Sequence, residues 1–262
     1  MIISHRYKFI FIAIFKTGTT SIEEALKRKI TFKSKDYDIL KDDINPPHRY
    51  KSMFITTSKI GTVRIEDYLK QRILLKSKNY DTMKDDINSP LQVRNQKIRK
   101  HMPAQELKEV LGENKFNSYF KFCFVRNPWD ITLSSYLFAK DHRMILQFFK
   151  DGTKDPWYSR VVKAKELSFR DYLFYFKDSW KNYLSYISDK EGNLLMDFVG
   201  KFENIQKDFN EICRIIGINK IRLPHLNKSN RRDYAKCYDK ESKKLISNIY
   251  KREIKLFGYK FE

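Results

Sequence analysis

The chain predicts an α/β fold, a parallel sheet with helices on both faces, on three observations. An unbroken apolar run, Phe9-Ile10-Phe11-Ile12-Ala13-Ile14-Phe15, leads into Lys16-Thr17-Gly18-Thr19-Thr20-Ser21 and then an amphipathic stretch from Ile22. A second aromatic run, Phe120 to Val125, is followed by Arg126-Asn127-Pro128 and another helical pattern. Extended and helical patterns then alternate to the C-terminus, as crossover connections between parallel strands require.

Each element has a local cause. The first run has the continuous hydrophobicity of a strand buried on both sides. Gly18 permits a sharp turn, and Ser and Thr cap a new helix whose N–H groups face the loop. That order of strand, glycine turn and helix start is P-loop-like and suits a phosphate-type anion, with Lys16 adding charge. The nucleoside-triphosphatase loop has its lysine after the glycine, whereas Lys16 precedes Gly18, so ATP or GTP binding of that kind is disfavoured.

Beyond residue 97, a helix is expected from Ala104 to Leu111, stopped by Gly112. Phe120 to Val125 forms the second core strand. Pro128 opens the following helix, to Lys140, where its missing N–H costs nothing. Residues 151–165 read as irregular. Ser168 to Lys177 has Phe169, Tyr172, Leu173 and Phe176 on one helical face. Leu194 to Phe202 is extended, Asn204 to Ile216 helical with Gly217 as its stop, and 240–255 a single basic helix.

The 262 residues, 41% hydrophobic with 15% aromatics, suit one domain with a sizeable core. The net charge of +21 calls for anionic partners without saying which. Cys123, Cys213 and Cys237 lack any paired spacing, so neither a disulfide framework nor a zinc site is expected. No clustered carboxylates or histidines suggest another metal. The N-terminal apolar run is too short for a bilayer and lacks a cleavage site, so a cytoplasmic protein with no transmembrane segment is expected.

Within this domain the chain repeats itself. Residues 11–47 align without gaps to 54–90 with 21 of 37 positions identical, a local tandem duplication inserted in the fold. Lys16, Gly18 and Thr19 persist as Lys59, Gly61 and Thr62, but Thr17, Thr20 and Ser21 become Ile60, Val63 and Arg64. The second copy has lost its hydroxyl donors, which makes the first the working loop.

In their order and spacing these segments resemble the sulfotransferases that use 3′-phosphoadenylyl sulfate (PAPS), particularly the carbohydrate and polysaccharide O-sulfotransferases. The resemblance continues through Asp197 to Asn204, Ile216-Gly217-Ile218, Leu223 to Ser229 and Phe257-Gly258-Tyr259. It implies that Lys16, Thr17, Gly18, Thr19, Thr20 and Ser21 grip the 5′-phosphosulfate, while Arg126 and Ser134, eight residues apart, grip the 3′-phosphate. Lys228 and Ser229 would lie in a loop closing over the cofactor. Lys16 would also be catalytic, meeting charge on the leaving group, and no metal is required. The implied acceptor is a hydroxyl of a carbohydrate or glycan, anionic ones included.

The acceptor needs a base, and histidine is the side chain poised for it. Of His5, His48, His101, His142 and His225, the resemblance selects His101, ahead of the 3′-phosphate strand, with His48 as the rival. Competing readings are a nucleotide or sugar kinase with an atypical phosphate loop, or a non-catalytic anion- or nucleic-acid-binding protein. No recognition helix or aromatic sheet motif points to specific nucleic-acid binding.

Overall fold

The computed structural model describes residues 1–31, 37–38, 98–141, 156–224 and 233–262. All of them but Ile98 belong to one compact unit built from Met1–Ile39 and Arg99–Glu262. The second copy of the duplication, His48, His142, His225, Lys228 and Ser229 lie outside the described residues.

The sheet has five strands in the order β3-β1-β2-β4-β5: β1 (Ile2–Ser4), β2 (Phe9–Ile12), β3 (Tyr37–Asp38), β4 (Phe120–Val125) and β5 (Phe198–Lys201). β2 runs parallel to β4, and β4 to β5, with Phe11 opposite Phe122 and Phe124 opposite Gly200. β1 pairs antiparallel with both β2 and β3, so the sheet is mixed where an entirely parallel one was expected. The cause is the tight turn at His5 to Lys8, which folds Ile2 back onto Phe11. An apolar opening of three residues, Met1-Ile2-Ile3, is too short to announce a strand.

Phe9, Ile10, Phe11 and Ile12 are all fully buried. Successive strand side chains point to opposite faces, so burial of four in a row means that both faces of β2 are covered. The Phe11 and Phe122 rings stack at 5.1 Å across the parallel pair. Cys123 lies between Phe122 and Phe124 as a core residue, and burial pushes its thiol pKa up. All three cysteines are free thiols.

α1 (Thr19–Thr31) leaves β2 through the glycine turn. α2 (Ala104–Leu111) stops at Gly112, whose φ of 81° suits glycine, and α3 (Glu113–Asn117) leads into β4. α4 (Pro128–Lys140) begins with Asn127 capping the Trp129 N–H, and Trp129 packs edge-on against Phe261. α6 (Phe169–Tyr175) is capped by Ser168, α7 (Leu184–Ile187) is one turn, and α8 (Ile205–Ile215) follows β5.

Two helical expectations are corrected. Residues 156–166 form a helix, α5 (Pro156–Glu166), where irregular chain was expected. Pro156 suits the first helical position, and Val161 and Ala164 bury one face. The C-terminal helix is two, α9 (Lys240–Ile249) and α10 (Lys251–Phe257). The break falls at Tyr250, whose buried ring lies 5.6 Å from that of Tyr183 while its hydroxyl reaches the Lys181 carbonyl. Among the described residues no helix is long and apolar enough to cross a membrane.

Candidate active site

Between β2 and α1 the backbone takes two left-handed residues, Lys16 at φ 62° and Gly18 at φ 79°. Alternation of this kind turns successive N–H groups toward one concavity. The Thr17 hydroxyl donates to the Ile14 carbonyl at 3.0 Å and is wholly buried, which leaves Thr17 only its backbone to offer a ligand. Ser21 and Ile22 donate to the Gly18 carbonyl at 3.0 and 3.2 Å, so Gly18 is the helix cap. The N–H groups of Thr19 and Thr20 come before the first helical bond, which is what makes a helix start receptive to anions.

Gly18 is packed as well as turned. A Cβ there would stand 2.6 Å from Ile205 Cδ1 and 3.1 Å from the Phe202 ring. Gly217 is also left-handed, at φ 72°, but nothing lies within 4 Å of its would-be Cβ. Gly217→Ala should therefore cost only the backbone penalty, about 1 kcal/mol. Gly18→Ala should cost measurably more in urea unfolding; equal midpoints for the two would refute the packing argument.

Arg126, at the end of β4, ties that strand to the loop after β2. Its Nη1 donates to the Lys16 carbonyl at 2.8 Å, its Nε donates to Asp130 Oδ2 at 2.8 Å, and its guanidinium lies 4.2 Å from the Phe202 ring. Nη2 stands 2.7 Å from the same Asp130 oxygen, close enough for charge attraction but without the angle of a hydrogen bond. Arg126 is 1% exposed, so this is a buried donor with unspent N–H groups. A buried cation with unspent donors has the chemistry that suits an anion. Burial lowers the Arg126 pKa and Asp130 opposes the shift. The Tyr183 hydroxyl fixes the same residue from behind, on its carbonyl at 2.9 Å.

The Lys16 ammonium sits 3.9 Å from the centre of the Phe138 ring. Burial first, then repulsion from Arg126, lowers its pKa to about 8, against a pull upward from Asp141. Asp130 touches Arg126 and Phe138 touches Lys16, and the two are eight residues apart on α4. Ser134 falls midway on that stripe, because residues four apart share a helix face. Its neighbour Ser135 instead spends its hydroxyl on the Ile131 carbonyl at 2.8 Å.

His101, just before α2, comes to the same place. Its Nδ1 lies 2.8 Å from the Ala13 carbonyl, and its ring stacks on Phe15 at 3.6 Å. A carbonyl can only accept, so Nδ1 carries the proton and Nε2 keeps the lone pair. Burial, with Lys100 and the N-terminal ammonium, outweighs the Ala13 bond and Glu23 and lowers its pKa to about 4. His5 is used elsewhere, against Tyr119.

The structure thus gathers Lys16 to Ser21, Arg126, Ser134 and His101. Asp130, Phe138 and Phe15 also belong here, although the sequence did not single them out. The available signal was spacing: Asp130 lies four residues after Arg126, and Phe138 four after Ser134. Among the described residues no group of three or more His, Cys, Asp or Glu side chains could hold a metal.

The strand-loop-helix turn cross-tied to a strand-end arginine marks an α/β protein with cations gathered at a helix start. The chain belongs to the sulfotransferase family, whose model it matches over residues 1–260. It is 22% identical to human carbohydrate sulfotransferase 9 over 189 residues, 61% of this chain and 42% of that protein. It is 23% identical to rat carbohydrate sulfotransferase 11 over 172 residues, 56% of this chain and 48% of that one. The matches thus span less than half the length of these two relatives. An uncharacterized protein of Archaeoglobus fulgidus is 27% identical over 122 residues, 45% of this chain and 83% of its own. No solved structure matches the chain significantly.

Proposed function

We propose that the chain transfers a sulfuryl group from PAPS to a hydroxyl of a carbohydrate acceptor. The observation that carries this reading is the convergence at Phe15 and Lys16. A histidine with its Nε2 lone pair available stacks on Phe15, and the buried Arg126 guanidinium holds the backbone carbonyl of the half-buried Lys16.

PAPS supplies an SO₃ unit already activated by its bond to phosphate. The loop N–H groups hold the 5′-phosphosulfate, and Arg126 with Ser134 holds the 3′-phosphate. Nε2 of His101 takes the acceptor's proton as its oxygen bonds to sulfur and the sulfur–oxygen bond to phosphate breaks. The Lys16 ammonium meets the charge arriving on the departing phosphate oxygen.

Calorimetry with adenosine 3′,5′-bisphosphate, ATP and a random oligonucleotide at two salt concentrations tests the reading. Selective binding of the bisphosphate is expected. Preference for ATP would favour a kinase, and salt-sensitive oligonucleotide binding without the bisphosphate would favour a non-catalytic nucleic-acid role.

Arg126→Ala is expected to act twice. It removes the 3′-phosphate partner and leaves Asp130 half of a buried pair, so bisphosphate affinity and stability should both fall, the latter by about 3 kcal/mol. Adding Asp130→Asn should restore part of the stability in urea unfolding but none of the affinity. Recovery of both would show that Arg126 only holds the loop.

A further inference from the structure

Phe15 is the hub of an aromatic group beside the proposed base. It stacks on His101 at 3.6 Å, and its centroid lies 6.0 Å from Trp157, tilted by 50°, and 6.0 Å from Tyr186, edge-on at 77°. The rings come from four separate places: the loop after β2, the segment before α2, the first turn of α5, and α7. All four are half-buried, whereas the sheet aromatics Phe9, Phe11 and Phe122 are sealed completely. Core packing would have closed the cluster; its rings stay partly open.

Large flat apolar faces with an indole N–H and a phenol hydroxyl at their edges match one ligand chemistry well. A pyranose ring offers a row of C–H bonds on one face and hydroxyls around its rim. Of the nearby cations, Arg99 is committed to Glu106 at 2.7 Å and Lys100 to Glu23 at 3.1 Å, while Arg160, 5.9 Å from the Trp157 ring centre, donates to Ser179 at 2.9 Å.

We propose that Phe15, Trp157 and Tyr186 form the acceptor platform, on which a pyranoside stacks with its target hydroxyl toward Nε2 of His101. Trp157 and Tyr186 determine which acceptor is taken, and they select an uncharged sugar face in spite of the chain's net charge of +21. The role of the target hydroxyl rests on the proposed sulfuryl transfer; the stacking does not.

The protein, with and without adenosine 3′,5′-bisphosphate, is screened on an array of neutral and acidic glycans, and the best neutral oligosaccharide is titrated into wild type, Trp157→Ala, Trp157→Phe and Tyr186→Ala. Glycan affinity should fall about tenfold in Trp157→Ala and Tyr186→Ala. It should stay within about threefold in Trp157→Phe, which keeps an aromatic face. Bisphosphate affinity should be unchanged throughout. In the wild type, the Trp157 indole N–H resonance should shift on glycan addition, a readout independent of how the variants fold. Glycan binding equal to wild type in both alanine variants, an unmoved Trp157 resonance, no glycan binding at all, or binding confined to acidic glycans and abolished by salt would each overturn the platform. Failure of the bisphosphate to bind the wild type would sink sulfuryl transfer alone, and the glycan titrations would still decide the platform.

Discussion

Lys16→Ala is expected to lower sulfate transfer by about two to three orders of magnitude while changing bisphosphate affinity less than about tenfold. The asymmetry follows from when the charge is needed. In the proposed complex the ground-state negative charge is spread over sulfate and phosphate, where the loop N–H groups meet it. As the sulfur–oxygen bond breaks, charge concentrates on one phosphate oxygen, and only a mobile cation nearby adds stabilisation at that moment. Lys16 supplies such a cation, its ammonium resting against the Phe138 ring.

The lowered pKa of Lys16, about 8, adds a second observable. The lysine works only while protonated, so kcat/KM should fall above about pH 8 in the free enzyme. Lys16→Arg cannot lose its proton in that range and should move the alkaline limb upward, whatever it does to the maximum rate. An alkaline limb that stays in place in Lys16→Arg would assign it to another group.

How much of this could be read from the sequence depended on distance along the chain. The β2 run, the Gly18 turn, the Phe120–Val125 strand and the Pro128–Lys140 helix were legible because their causes are local: continuous apolarity, a left-handed glycine, a proline at the helix start. The antiparallel edge was not, because β1 is three residues long and gains its identity only by pairing with β2. The break at Tyr250 likewise follows from where its ring packs, against Tyr183. In the site, Lys16, Gly18 and Arg126 stood out by their place after apolar strands, and Ser134 through the family resemblance. The bond from Arg126 to the Lys16 carbonyl spans 110 residues and that from His101 to Ala13 spans 88, and no local pattern encodes either. These ties nevertheless convert two separate motifs into one site. Arg126 holds the backbone of the lysine, His101 holds the strand end, and Phe202 packs against both Arg126 and the Gly18 turn.

His101→Ala is expected to cost about two to four orders of magnitude in turnover, with bisphosphate affinity nearly intact, since the proposed role of the imidazole is toward the acceptor rather than the nucleotide. The sign of its pH dependence follows from its environment. Burial lowers its pKa to about 4, below the ordinary 6.5, so the free protein holds His101 neutral down to about pH 4. The acidic limb of kcat/KM should therefore lie near pH 4, and bound phosphosulfate should raise the limb seen in kcat, because negative charge favours the imidazolium. The limb should disappear in His101→Ala. The same shift governs stability: between about pH 4 and 6.5 the unfolded chain binds the proton that the folded one refuses. Stability at this site is thus fully present above pH 6.5 and declines as pH falls toward 4. His101→Gln separates the two roles, since its side-chain amide can still donate to the Ala13 carbonyl but cannot accept a proton. It should keep most of the stability lost in His101→Ala and recover none of the turnover. Recovery of turnover in His101→Gln would make the residue a structural tie of the loop and pass the base to another group.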